Sequence, residues 1–432
     1  MITGCKARIA PQKASQPLSI PSCMNPSTSP RPQGPFDFIK PEQRPILLVM
    51  LAAGGLTSVT GTIVAPIFPE IVATLQVEPR WAGLLVSMHT LTTALFSPVW
   101  GVLADRIGKV KVLVPALLAY ALFGAIGAYM HSFESLLLSR ALVGMASAGI
   151  AAASIGVLGS LYEGESRTQL MGYATSVLSV ATIIFPILSG WIGRLLGWPW
   201  AFALYGLGIP VAVAAALILR DPEEPQAAAV RLGQTQELRQ TLQQPAVLVL
   251  FLGLGLASVL FYIVIIYAPL HFKAAIAADT LLNGLILAAR AVGAAVISAL
   301  GASRLARRVG STNAIALGFA LMALTLVTIP ALTVVPWILL TALLFGVGFG
   351  VIMPNLYSVL SDLAPDRQRA GVLAIGTGCS SLGQFISPLL LGPVWQQAGI
   401  AVFHVGGGVA IAIALLSGLS HRVQGPGLPP KP

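Results

Sequence analysis

The sequence predicts an all-α polytopic membrane protein with twelve transmembrane helices in two pseudo-symmetric six-helix bundles, and three observations carry this. Hydrophobic residues make up 56% of the 432-residue chain and charged residues only 9%, with a mean hydropathy of +0.85, whereas soluble domains carry about 25% charged residues. The apolar residues are gathered into runs long enough to cross a bilayer. Such a run needs about 20 residues, because lipid offers the backbone no hydrogen bonds and a helix satisfies its own. Finally, the second half of the chain repeats the first at an almost constant offset of 202 residues.

Residues 1–44 are rich in Pro, Ser and Gln and too poor in apolar residues to build a core, so they read as a disordered cytoplasmic tail. The tail is basic, with no acid before Asp37, which leaves an organellar transit peptide as a second reading; a start at Met24 is also compatible. Six apolar spans follow within residues 45–220, at 46–68, 82–103, 110–130, 135–160, 170–192 and 198–219. A polar loop covers 221–245. Six more spans occupy the second bundle, 246–419, at 246–269, 281–302, 311–331, 336–360, 370–393 and 399–418, before a short tail at 420–432.

The net charge of +10 arises from basic residues scattered singly between spans, which argues against nucleic acid and for a membrane. With both termini inside, 20 of the 25 Lys and Arg fall on the cytoplasmic side and only Arg80, Arg194 and Lys273 outside, as positive-inside retention requires. Arg140 and Arg290 lie within spans. The three cysteines, Cys5, Cys23 and Cys379, have neither disulfide nor metal spacing, so no metal and no cofactor are expected.

The repeat is read from matched residues. Leu103-Ala104 meets Leu305-Ala306, Gly108 meets Gly310, Gly144 meets Gly346, and Pro186 and Gly190 meet Pro388 and Gly392, all at 202. Ala65-Pro66 meets Ala268-Pro269 at 203, which places a single length change between the first and second spans. Parallel six-helix repeats imply a substrate site near the midplane between the halves, with access alternating by rocking.

After the second span the chain reads Gly101-Val102-Leu103-Ala104-Asp105-Arg106-Ile107-Gly108-Lys109-Val110-Lys111. Gly108 permits a tight turn, and Asp105 at a helix end can accept charge-assisted hydrogen bonds from basic groups or a facing helix N-terminus. This segment resembles the signature between helices two and three of the major facilitator superfamily, where such a cluster latches the cytoplasmic gate. Arg307 replaces the Asp in the second half, so the latch is not duplicated. In the fourth span, Ser139-Arg140-Ala141-Leu142-Val143-Gly144 resembles the family's membrane-arginine motif linked to proton transfer, with Val143 where many relatives carry Gln. An alternative has Arg140 snorkelling to the outer interface. Phe185-Pro186-Ile187-Leu188-Ser189-Gly190 partly matches the fifth-helix motif of drug/proton antiporters. The resemblance implies twelve-helix exporters of that type and covers residues 45 to 420.

Arg290 stands about ten residues into the eighth span, roughly 14 Å deep at 1.5 Å per residue, beyond easy snorkelling. The repeat sets it opposite Met88, one residue from His89. This suggests Arg290 as a ligand for an anionic or carbonyl-rich group and His89 as proton carrier. In the other reading, backbone carbonyls or a contact through Ser298 hold Arg290, and His89 is a packing residue. Tyr262 and Tyr357 are further substrate-binding candidates. No Asp or Glu lies mid-span, which disfavours a cationic substrate and leaves His89, Arg140 or Glu70 for proton coupling.

The sequence therefore points to a monomeric secondary transporter of the inner membrane: a proton-coupled exporter of a small amphipathic compound such as a drug or siderophore. The alternatives are an importer of a sugar or organic acid and, more distantly, a non-transporting sensor. No nucleotide-binding loop or nucleophile-base set marks an enzyme.

Overall fold

A computed structural model describes residues 44–161, 164–220, 238–365 and 368–423, without the side chains of 155–174 and 419–423. The expectations for the tail 1–43, including Met24, and for most of the central loop lie outside the described residues. Residues 238–242 of that loop are helical, and Thr241 donates to the Gln368 side chain.

Among the described residues, twelve helices are long and apolar enough to cross a membrane. In the first half they are α1 (Arg44–Leu75), α2 (Pro79–Ile107), α3 (Lys109–Tyr129), α4 (Phe133–Leu161), α5 (Gly164–Leu196) and α6 (Trp198–Ile218). In the second half they are α7 (Pro245–Ile276), α8 (Thr280–Leu300), α9 (Ser311–Ala331), α10 (Val335–Leu363), α11 (Arg369–Ala398) and α12 (Ala401–Val423). An extra short helix, Ala302–Val309, follows α8. Helix α1 breaks between Thr62 and Val64. Pro66 has no N–H for the Thr62 carbonyl, so the ladder is interrupted there.

The halves pack alike. The extensive pairs α2 with α4, α3 with α4 and α7 with α11 lie within halves, as do their counterparts α8 with α10 and α9 with α10. Between halves, α5 packs on α8 and α11 on α2. The backbone repeats even more closely. Among the described residues, positive φ occurs at Gln76 (49°) and Ala277 (53°), Gly108 (109°) and Gly310 (88°), and Gly197 (92°) and Gly399 (49°). Each pair occupies equivalent helix ends, 201, 202 and 202 residues apart. The tight turn expected at Gly108 is present, where left-handed φ favours glycine.

The repeat register differs from the sequence expectation in one respect. A side chain at Gly144 of α4 would collide with the His89 backbone, and one at Gly346 of α10 would collide with the Arg290 carbonyl. His89 is therefore the equivalent of Arg290, 201 residues apart, and Met88 is not. The offset falls from 203 in α1 to 201 in α2, then returns to 202 at the break between α8 and the short helix at Gly301. The length change is thus two changes of opposite sign, and the second is absorbed by that break.

The two halves close on the face away from the chain ends. Gly190 faces the Thr280 carbonyl and Gly284 the Pro186 carbonyl, while Gly392 faces the Arg80 carbonyl and Gly83 faces Pro388. In each case the missing side chain lets backbones approach, as membrane helix packing requires without a hydrophobic drive between helices. Pro186, Gly190, Pro388 and Gly392 thus sit at the two crossings between halves. Above them lie three polar bridges: Lys273 Nζ to Glu70 at 2.6 Å, Arg194 to Asp279 at 3.2 Å, and Gln396 Nε2 to Glu78 at 3.3 Å. They obey the repeat. Glu70 and Lys273 are equivalent residues meeting across the pseudo-two-fold axis, and Arg194–Asp279 is the counterpart of Gln396–Glu78. Each exposed bridge contributes at most about 1 kcal/mol, so the glycine crossings carry most of the closure.

This assigns a test to the closed face. In a background without native cysteines, Cys at positions 70 and 273 should be joined by a short bismaleimide, which replaces the reach of the two long side chains that meet there. Adding Gly284→Val should cut the cross-linked fraction by about threefold or more, as overpacking of a tight contact does. An unchanged fraction would show that the α5–α8 crossing does not hold this face together.

Candidate functional site

Beneath the closed face, between the halves, lies a cavity of about 270 Å³. The first half lines it with Thr57, Ser58, Gly61, Thr62 and Ala65 of α1, His89 of α2 and Thr182 of α5. The second half contributes Phe261, Tyr262 and Ile265 of α7, Leu287 and Arg290 of α8, and Gln384 of α11. The break in α1 brings Gly61 and Thr62 to the wall. A side chain at Gly61 would stand 2.9 Å from His89 Cε1, 3.1 Å from His89 Nε2 and 3.7 Å from the Tyr262 hydroxyl. Glycine there therefore keeps the passage between these two groups open.

Arg290 and His89 face the same cavity from equivalent positions. Arg290 sits ten residues into the 21-residue α8, midway through a hydrocarbon layer about 30 Å thick. It is 5% exposed, and its guanidinium carbon lies 4.1 Å from the Phe261 ring centroid. Phe261 is in turn stacked on Phe349, with centroids 4.1 Å apart. Its Nε has no hydrogen-bond partner among the described residues. The carbonyl cradle and the Ser298 contact weighed from sequence are not what holds it, since Ser298 donates instead to the Gly350 carbonyl at 2.9 Å. His89 is 8% exposed, with Nδ1 also lacking a partner. Among the described residues, no carboxylate lines the cavity.

Arg140 behaves differently. It is fully buried and does not snorkel to the interface. Its Nη2 donates to the Thr60 carbonyl at 2.6 Å, Nε to the Leu85 carbonyl at 3.3 Å and Nη1 to the Tyr205 hydroxyl. The Tyr205 hydroxyl in turn donates to the Thr60 carbonyl at 2.8 Å, and Tyr120 donates to the Leu56 carbonyl at 2.9 Å. The result is a knot binding α1, α2, α4 and α6, with α3 joined to α1 beside it. Arg140 is not among the cavity residues.

The other candidates are dispersed. Glu70 is at the closed rim, paired with Lys273. Tyr357 lies outside the cavity wall, its hydroxyl 3.4 Å from Thr377 on α11. At the face of the chain ends, Asp105 and Arg106 are exposed and Gly101 has open space around it; Gly108 and Lys109 complete the turn into α3. Sequence reasoning missed Thr57, Ser58, Gly61, Thr62, Thr182 and Gln384. The available signal was a small and polar cluster on one face of α1 at positions 57, 58, 61 and 62.

The two arginines should separate in stability. Arg140→Met strands buried carbonyl and hydroxyl groups, at a cost of roughly 2 kcal/mol or more, and should lower the thermal unfolding midpoint of purified protein by several degrees. Arg290→Met removes a buried charge that no carboxylate offsets and should leave the midpoint level or raise it. A larger loss for Arg290→Met would contradict this division.

With this geometry in place, the comparisons are direct. The family model of the Major Facilitator Superfamily matches residues 50–388 and 250–429. The chain is 23% identical to the quinolone resistance protein NorA of Staphylococcus aureus over 393 residues, covering 88% of this chain and 96% of that protein. Among solved structures, a bacterial homologue of the human lysosomal transporter Spinster, in an inward-facing and occupied conformation, aligns with a TM-score of 0.72 at 16% identity, covering 88% of this chain and 97% of that one. The nucleoside transporter NupG aligns with a TM-score of 0.73 at 12% identity, covering 87% of this chain and 99% of that one. A twelve-helix bundle with a repeated half, a cavity on the repeat axis and a family match along nearly its whole length make this chain a transporter of the Major Facilitator Superfamily, and not an enzyme.

Proposed function

We propose that the chain is a proton-coupled exporter of a small amphipathic compound, working as a monomer in the cell inner membrane with both termini in the cytoplasm. The observation that carries this reading is the cavity on the repeat axis, closed toward the face that the Lys and Arg distribution assigns to the outside. In that orientation the described form faces inward, the form in which an exporter loads and an importer releases. The full-length likeness to NorA, a resistance protein by name, supports export.

Within this reading, His89 is the proton carrier, as the titratable imidazole of the cavity wall. Gly101, Asp105, Arg106, Gly108 and Lys109 form the cytoplasmic gate. Asp105 is exposed while the inner face is open, and engages when that face closes. Arg140 acts by holding the first bundle rigid around the α1 break, and Glu70 acts at the outer rim. A second reading, import of a nutrient on the same fold, is favoured by Phe185 and Ser189 in the α5 motif; Ser189 donates to the Ile63 carbonyl instead of leaving that position bare. A non-transporting sensor would have no use for a polar, mid-depth cavity.

Everted membrane vesicles decide between export and import: an exporter accumulates its cargo when the lumen is acidified by respiration, and an importer does so only in right-side-out vesicles. Asp105→Asn should reduce transport about tenfold or more, the conversion of 1.4 kcal/mol, with normal membrane insertion; wild-type rates would remove the gate role. His89→Ala should abolish the response to an imposed pH gradient, and a retained response would place the proton carrier elsewhere.

A further inference from the structure

Resting on the transporter reading above, we infer that the compound handled by this cavity carries a carboxylate or comparable monoanionic group, and that Arg290 is its specificity-determining residue. Among the described residues, the one permanently charged side chain of the cavity wall is Arg290, and no Asp or Glu faces it. A guanidinium at mid-membrane depth is costly without a counter-charge or a full set of acceptors. Arg140 shows how this fold satisfies such a group when it is structural: two backbone carbonyls and a tyrosine hydroxyl take its donors. Arg290 has none of these. Its guanidinium carbon lies over the Phe261 ring, which Phe349 backs, so ring contact holds it while its Nε–H is left without a partner among the described residues. A contact through the ring face holds the guanidinium without using up its N–H donors, which suits it to charge-assisted carboxylate binding.

The opposite wall points the same way. Thr57, Thr62 and Thr182 donate their hydroxyl protons back to carbonyls of their own helices, at 2.7, 3.0 and 2.8 Å. These three therefore present lone pairs to the cavity, which disfavours an anion along their part of the wall. Donors converge instead from the other side, where Arg290 and the Tyr262 hydroxyl stand. Ile265, Leu287 and Phe261 supply apolar surface next to Arg290. The substrate is thus polarised: an anionic head toward α8, a compact apolar or aromatic body along α7, and any N–H or O–H toward α1 and α5. Organic cations are excluded by repulsion and by the lack of a carboxylate to receive them.

The test uses full-length protein in nanodiscs and three probes of one shape: tritiated 2-naphthoate, 2-naphthamide and 2-naphthylmethylammonium. Wild type should bind the carboxylate at least about tenfold more tightly than the amide, the equivalent of one charge-assisted pair, and the ammonium least. Arg290→Gln should erase the preference between carboxylate and amide, while Arg290→Lys should keep part of it; thermal midpoints certify that both variants are folded. Equal binding of all three probes to wild type, no binding of any, or a preference that survives Arg290→Gln would overturn the inference. The transporter reading fails separately, if no cargo of any charge moves in vesicles of either orientation. Cargo that moves without regard to Arg290 would leave that reading standing and remove this one.

Discussion

Inside hydrocarbon, a polar group has only the protein to bond to, and this constraint decides nearly everything in the molecule. It forces twelve helices, because each satisfies its own backbone. It turns glycines into contact points, because with no hydrophobic drive between helices the remaining gain comes from close packing. It also makes every intramembrane charge a question about partners. Arg140 answers that question internally, through Thr60, Leu85 and Tyr205. Arg290 answers it with an aromatic face and keeps a free donor. Two residues of the same type, each within one half, are separated by bonding alone into one that holds a bundle together and one that faces the cavity with a donor unpaired.

The pseudo-symmetry supplies the second organising principle. Equivalent helix ends reverse the chain through positive φ at three matched pairs, and equivalent glycines at 144 and 346 press on the backbones of His89 and Arg290. The repeat thus places an imidazole and a guanidinium at corresponding points of one cavity. The backbone is duplicated and the chemistry is not, so the two walls differ: lone pairs and a histidine on one, donors and rings on the other.

Much of this was legible in the sequence, for physical reasons. Apolar runs of about 20 residues announce themselves, and an arginine ten residues inside one is conspicuous because it is expensive. Gly108 and Gly310 announce themselves through the turn they must make. What the sequence hid was of two kinds. The one-residue difference between Met88 and His89 depends on a helix break at Gly301, and no local preference marks where a helix takes in an extra residue. The hydroxyls of the cavity were equally silent, because Ser and Thr are common in membrane helices and usually bond their own backbone. Tyr357 misled for the opposite reason: a tyrosine on α10 looks like a site residue until its position against Thr377 is seen.

The outer rim repeats the same lesson with one substitution. Arg194 grips Asp279 where α5 meets α8, and the equivalent position where α11 meets α2 carries the neutral Gln396, bonded to Glu78. The α5–α8 edge of the rim is therefore screened by salt, and the α2–α11 edge much less so. With each bridge worth at most about 1 kcal/mol, this gives a bias of a few-fold and not a lock. The asymmetry belongs to the rim and not to the cavity: raising the ionic strength loosens the α5–α8 edge, where two charges meet, and leaves the α2–α11 edge, where a neutral amide meets a carboxylate, nearly as it was.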